Sequence, residues 1–219
     1  MGRMAYDGAV KVGGPAQVRQ LPGLTMTKVQ VGDFENDVYV LRADDGSTVL
    51  IDAAAEPDRL LELVDGRLDL IVTTHQHRDH WAALADVVAA TGAPVAIGEP
   101  DADGVDVPIT DKLHDGELIN VGPIQLEVIR ITGHTPGGVA LLYNGDPERP
   151  HLFTGDSLFP GGVGNTFKDD ALFRQLIGDV ESKIFERLPD QTWIYPGHGN
   201  DTTLGVERPN LPGWHQRGW

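Results

Sequence analysis

No cysteine occurs in the 219 residues, which excludes disulfides, thiolate metal sites and a cysteine nucleophile together. Aromatic residues make up only 6% of the chain, and positive charge is scarce. Seventeen Lys and Arg stand against 33 Asp and Glu, giving a formal charge of -16 and a pI near 4.7. Such a surface repels nucleic-acid backbones and anionic membranes, so neither is expected as a partner and a small-molecule substrate is. No apolar run approaches the roughly 18 residues of a membrane span. The stretch from Met1 to Gln20 mixes Arg3, Lys11 and Arg19 with glycines and lacks the apolar region of a secretory leader. A cytoplasmic protein is therefore expected. Hydrophobic residues make up 40%, enough for one sizeable core. The expectation is a single domain over residues 1–219, with a flexible segment over about 1–20 and a short tail over about 200–219. A homo-oligomer is compatible with this composition.

What is present is a series of short apolar runs separated by turn signals. Thr25–Val31, Val38–Arg42 and Thr48–Ile51 read as strands, with Asp44, Asp45 and Gly46 as a hairpin turn. Pro57–Val64 reads as a short helix with proline in its first turn. Leu68–Val72 is an apolar run that delivers the chain into His75-Gln76-His77-Arg78-Asp79-His80. Trp81, Leu84, Val87 and Val88 then recur at helical spacing, predicting a helix over His80–Ala90 that stops at Gly92. Strands are expected at Val95–Ile97, Glu117–Val121, Leu126–Ile131, Val139–Tyr143, His151–Thr154 and Thr192–Tyr195. Asp169 and Asp170 precede an apolar stripe from Phe173 to Leu188, a helix of four to five turns with acidic residues at its N-terminus. The order lacks the regular alternation of a doubly wound sheet and suits an α+β arrangement of two sheets face to face with helices outside.

The 75–80 segment puts three imidazoles and a carboxylate into six residues at a strand end. In extended backbone, side chains alternate, so His75 and His77 project together. Asp79 and His80 point elsewhere. His134, Asp156 and His198 each follow an apolar strand in the same way. Imidazole nitrogen and carboxylate oxygen are ligands for zinc, manganese or iron, and the donor count suits two divalent ions. His75, His77 and His134 can hold the first; Asp79, His80 and His198 can hold the second; Asp156 can bridge them. Zinc is the default, with iron or manganese as alternatives.

These segments resemble the metallo-beta-lactamase fold superfamily, and within it the glyoxalase II (hydroxyacylglutathione hydrolase) group. The matching pieces are Asp52 after Val49–Ile51, Thr74–His80, the segment Thr132–Gly138 around His134, Gly155-Asp156-Ser157-Leu158-Phe159, and Pro196-Gly197-His198-Gly199. The resemblance implies a four-layer αββα sandwich with metals at one edge, and Asp52 orienting a ligand histidine. It also implies that Asp79 positions the nucleophilic water. A bridging aspartate at Asp156 argues against antibiotic hydrolysis, since the true beta-lactamases do not use one here. The tRNA-processing members carry an RNA-grasping arm for which this chain offers no candidate. The basic C-terminal extension that holds glutathione has no counterpart, which leaves the thiol carrier open. The expected activity is hydrolysis of a small acyl thioester by hydroxide held on the metal pair. The alternatives are a mononuclear iron persulfide dioxygenase using His75, His134 and Asp156, and a lactone or ester hydrolase.

Other residues carry less. Asn36, Tyr39, Phe159, the Gly161–Asn165 loop and Tyr195 neighbour the metal-type segments, and Tyr195 is a candidate proton donor for a lactone's alkoxide. Core packing or turn chemistry explains each of these nearly as well. His114, His151 and His215 have no motif companions and read as solvated or hydrogen-bonded bystanders. Trp214 and Trp219 pack the tail either onto the body or onto another subunit.

Overall fold

Val49 and Ile51 face one way from their strand and Leu50 the other, and this period-two alternation builds the layers. The structure, a computed structural model, describes residues 6–218. A first sheet has the order β1 (Gln17–Leu21), β2 (Leu24–Val31), β3 (Asn36–Ala43), β4 (Thr48–Ile51), β5 (Leu70–Thr73), β6 (Val95–Gly98) and β7 (Asp111–Leu113). The first four strands pair antiparallel, and β4 to β7 pair parallel. The second sheet runs β15 (Thr202–Thr203), β14 (Trp193–Pro196), β11 (His151–Gly155), β10 (Val139–Tyr143), β9 (Ile124–Arg130) and β8 (Leu118–Val121). A small hairpin of β12 (Leu158–Phe159) and β13 (Gly162–Val163) lies beside it.

Three apolar clusters separate four layers. Between the sheets, Leu41, Ile51 and Val72 pack with Leu126, Leu141 and Phe153. The opposite face of the first sheet, with Val40, Leu50 and Ile71, is covered by α1 (Pro57–Val64) and α2 (Leu84–Thr91) through Leu60, Val64, Leu84 and Val87. The outer face of the second sheet, with Ile129, Leu142 and Ile194, is covered by α3 (Asp170–Val180) through Phe173, Leu176 and Ile177. Each fully buried Leu, Ile or Val contributes about 1.5–3 kcal/mol over its exposed state. The arrangement is the αββα sandwich.

Four local expectations are corrected. The helix expected over His80–Ala90 is a 3-10 turn at Arg78–His80 followed by α2, which starts only at Leu84. Residues 17–21, inside the segment expected to be flexible, form β1, because Gln17–Leu21 pairs with Leu24–Lys28 across a tight turn. The stripe ending at Leu188 is α3 to Val180 and then a wider π-type turn over Glu181–Phe185. The tail forms α4 (Leu204–Glu207) and α5 (Leu211–Arg217), and Trp214 is fully buried against Phe185. Of the open choice for the tryptophans, Trp214 packs on the body. Trp219, like the start of the segment expected to be flexible, lies outside the described residues. Among the described residues no helix is long and apolar enough to cross a membrane.

Candidate metal centre

Strands β9 and β11 both run antiparallel to β10, and β14 runs parallel to β11. Their C-terminal ends therefore meet at one edge, and from there the chain leaves toward His134, Asp156 and His198. From the first sheet β5 ends at Thr73 beside the same edge, and Val139 N–H donates to Thr74 O at 2.9 Å. The chain passes His75 and His77 and then tightens into the 3-10 turn, closed by His80 N–H to His77 O at 3.0 Å. That turn swings His80 inward, where it is buried.

All seven predicted donors come together. His75, His77 and His134 form one group; Asp79, His80 and His198 form another; His75, His80 and Asp156 form a third. Within each group the donor atoms lie within 4.8 Å of one another. Asp156 lies between the first two. Its Oδ1 is 3.3 Å from His80 Nε2, and its Oδ2 is 3.6 Å from both His134 Nε2 and His198 Nε2.

The imidazoles are turned by what lies behind them. His80 Nδ1 meets Asp52 Oδ2 at 2.8 Å, His134 Nδ1 meets Asn165 O at 2.8 Å, and His198 Nδ1 meets Phe34 O at 2.9 Å. Carbonyl and carboxylate oxygens only accept, so each Nδ1 carries a proton and each Nε2 faces the site. Asp52 sits at φ 60°, an uncommon left-handed conformation just after β4. Its carboxylate also accepts from Thr74 N–H at 2.7 Å and from the Thr74 hydroxyl at 2.8 Å. Asn36 Nδ2 donates to Asp79 Oδ2 at 2.9 Å.

Charge in the site follows from burial and neighbours. Burial, then the adjacent His80, holds His75 well below the usual imidazole range, so it is neutral. For His80, burial works the other way from its carboxylate neighbours, but Asp156 and Asp52 prevail and raise it well above that range. Burial penalises the Asp156 charge, yet His80 beside it holds the carboxyl far below the usual carboxylate range. Asp79 is likewise held low against burial, by hydrogen bonds from His198 and Asn36.

This donor set fits divalent metal. His75 Nε2 stands 3.1 Å from His77 Nδ1, and His80 Nε2 stands 3.2 Å from His198 Nε2. Two nitrogens each about 2.0–2.1 Å from a tetrahedral ion are about 3.3 Å apart. His134 Nε2 and Asp156 Oδ1 are buried with no hydrogen-bond partner. At Gly197 a Cβ would run into Asp156 Oδ1 and His80 Cε1, so a side chain there would fill the space that the donors face.

A family model described as metallo-beta-lactamase superfamily matches residues 31–198, a stretch that contains every donor. The chain belongs to that superfamily. Hydroxyacylglutathione hydrolase GloC of Haemophilus influenzae is 26% identical over 84% of this chain and 95% of its own length. A hydroxyacylglutathione hydrolase of Cereibacter sphaeroides is 34% identical over 71% of this chain, which spans only 59% of that relative. Among solved structures, TTHA1623 in a di-iron-bound form superposes with a TM-score of 0.68 at 30% identity, covering 83% of this chain and 96% of that one. Members of the superfamily bind metal ions, and the hydrolases among these relatives place this chain with the metallo-hydrolases.

Tyr195 and Asp101 fall differently from the sequence reading, whereas His114, His151 and His215 are the hydrogen-bonded or solvated bystanders it expected. Tyr195 is no donor at the site: it is fully buried between the sheets. Its hydroxyl accepts from Arg19 Nη1 at 3.0 Å and meets His151 Nδ1 at 2.8 Å. His114 pairs with Glu99 and His215 with Glu181, both away from the site. Asp101 was not singled out, although it ties two donor-bearing loops together. It is fully buried, and its carboxylate accepts from Gln76 N–H at 3.1 Å, the Thr135 hydroxyl at 2.6 Å and Gly137 N–H at 2.6 Å. It lies in a short 3-10 segment over Glu99–Gly104, and no local pattern distinguishes it from the exposed acids around it.

Proposed function

We propose that this chain is a binuclear metal-dependent hydrolase that cleaves a small acyl thioester with water to give a carboxylic acid and a thiol. The observation that carries the reading is the convergence of five imidazoles and two carboxylates, with three Nε2 atoms aimed inward by their Nδ1 partners. His75, His77 and His134 would hold one ion, Asp79, His80 and His198 the other, and Asp156 would bridge. Zinc is the first assignment. Iron is the second, favoured by the di-iron-bound form of the 30% identical TTHA1623.

Divalent ions at such a site supply Lewis acidity and a water acidic enough to act as a nucleophile near neutral pH. The chain's own groups supply the orientation. Asp79, fixed by Asn36, accepts a hydrogen bond from the attacking water and aims it. A cleft of about 420 Å³ opens beside Asp79, lined by Gly32, Phe34, Ala54, Ala55 and Ala82 together with Asn36 and the charged Asp33 and Arg78, and its apolar stretch suits a short acyl group. A thiol leaving group needs little protonation, which suits a site whose five histidines, Asp79 and Asp156 are all taken up by the metal positions. The hydroxyacylglutathione hydrolase relatives support the thioester.

The test is a side-by-side panel on purified, metal-analysed protein: thiol release from several acyl thioesters, acid release from lactones, and oxygen uptake with persulfides. Thioester cleavage at two metal equivalents per chain is expected. Oxygen consumption without thioester cleavage, or lactone turnover orders of magnitude faster than any thioester, would overturn the assignment.

A further inference from the structure

Lys28 lies on β2 with no exposed surface, and an ammonium in that position is costly unless its partners are complete. They are. Its Nζ is 2.6 Å from Asp201 Oδ1 and 2.9 Å from Asp37 Oδ2, and it donates to Gly8 O at 3.0 Å and Gly199 O at 2.9 Å. Asp201 is braced further by the Tyr6 hydroxyl. The proposed reaction uses none of these groups, and a well-packed apolar side chain would serve stability as well or better. The reason for a charge at this point lies in which peptides it holds.

Those peptides flank His198. Gly199 O, just after it, accepts from Lys28, and Gly197 O, just before it, accepts from Asp37 N–H at 2.7 Å. Asp37, paired with Lys28, adjoins Asn36, which forms an antiparallel bridge with His198 and donates to Asp79 at 2.9 Å. The loop from Gly197 to Asp201 lies between β14 and β15 and makes few ladder bonds of its own, so its carbonyls need a donor from the body. Lys28 supplies that donor. No donor of the His75, His77 and His134 group touches this network, and their loops are tied by Asp101 instead.

We propose that Lys28 is a positioning residue for one half of the donor cluster: through Gly199, Asp37 and Asn36 it fixes His198 and Asp79, and so sets the affinity of the second metal position while leaving the first untouched. This rests on the binuclear reading. The test compares wild type with Lys28→Met, which keeps the stem length without the charge, and with the milder Asp201→Asn. Each is stripped of metal and titrated with zinc by calorimetry, and crystals soaked in zinc are measured for anomalous occupancy at each centre. In wild type two equivalents bind. In the variants the equivalent at Asp79, His80 and His198 is expected to weaken by about tenfold to a hundredfold, the range for losing a group that orients a ligand. The equivalent at His75, His77 and His134 should keep its affinity, and activity lost at low zinc should return when zinc is raised.

A merely structural lysine predicts a different pattern: a lower melting temperature with both equivalents weakened together. That pattern, or unchanged binding of both equivalents in both variants, overturns the inference. So does failure of both variants to fold, since the network would then serve the whole fold. A wild-type chain that takes up only one equivalent refutes the binuclear reading and the inference with it, whereas two equivalents in wild type with unaffected variants refute the inference alone.

Discussion

Replacing Asp52 by Asn changes few atoms and separates the orienting role of this residue from its packing. The backbone at φ 60° tolerates Asn, one of the residues enriched in the left-handed region. The amide oxygen can still accept from Thr74 N–H, which now lies 2.7 Å from Oδ1. The amide nitrogen then occupies the place of Oδ2, 2.8 Å from both the Thr74 hydroxyl and His80 Nδ1. A donor there forces His80 Nδ1 to accept. The imidazole proton moves to Nε2, the atom that faces His198 and Asp156, and a protonated Nε2 cannot ligate metal. Loss of such an orienting partner costs about 10- to 100-fold in metal affinity, or about 1.4–2.7 kcal/mol. The metal-free Asp52→Asn protein should melt moderately below wild type, because the charge that helps hold the His80 proton is gone while both Thr74 groups keep a partner. Asp52→Ala should fall well below it, since buried Thr74 donors lose their acceptor at about 1–3 kcal/mol each and Ala at a left-handed φ costs roughly 1–2 kcal/mol more. Competition with a chromophoric chelator measures the affinity, and differential scanning calorimetry of the metal-free proteins measures the stability. An Asp52→Asn protein that binds every equivalent with wild-type affinity refutes the tautomer argument.

Two further outcomes are expected. Tyr195→Phe should leave thioester turnover unchanged, because the hydroxyl is occupied by Arg19 and His151 inside the core, while stability drops by about 1 kcal/mol or more; a large fall in kcat with an intact fold would return Tyr195 to the site. His151, with burial and the nearby Arg19 charge lowering its pKa from 6.5 to about 4, is neutral in the fold where the unfolded chain would be charged. The unfolded state therefore binds more protons between these values, so stability is present above about pH 6.5 and falls as pH drops toward 4, by at most about 1.4 kcal/mol per pH unit. In His151→Gln that share of the slope should vanish when melting temperature is followed against pH, and an unchanged slope would show that other groups carry it.

The strands were legible because an apolar run bounded by turn signals is a local property. Val49, Leu50 and Ile51 reveal two opposed faces without knowledge of what covers them. The donor set was legible for a related reason: each member follows an apolar strand, and His75-Gln76-His77-Arg78-Asp79-His80 concentrates four of them in one run. Residue type and spacing alone thus pointed to a metal-type cluster at strand ends, and the run's resemblance to a known superfamily to its sandwich. The turn at Arg78–His80, however, was hidden under a helical apolar spacing, because Trp81 belongs to that stripe while its backbone, at φ -142°, leaves the helix.

Only the tertiary structure decided which distant groups stand behind the donors. Asp52 and His80 are adjacent because parallel pairing of β4 and β5 brings the ends of those strands side by side. Asn165 O and Phe34 O take the protons of His134 and His198 as backbone carbonyls, which no residue type can announce. Nothing in the sequence marks Asp101 or Lys28 as buried, since a side chain's burial depends on the elements that close over it and not on its neighbours in the chain. Tyr195 shows the converse: it adjoins the His198 motif in sequence, but the strand's alternation turns its ring into the space between the sheets, and His198 reaches the site only beyond the strand's end at Pro196.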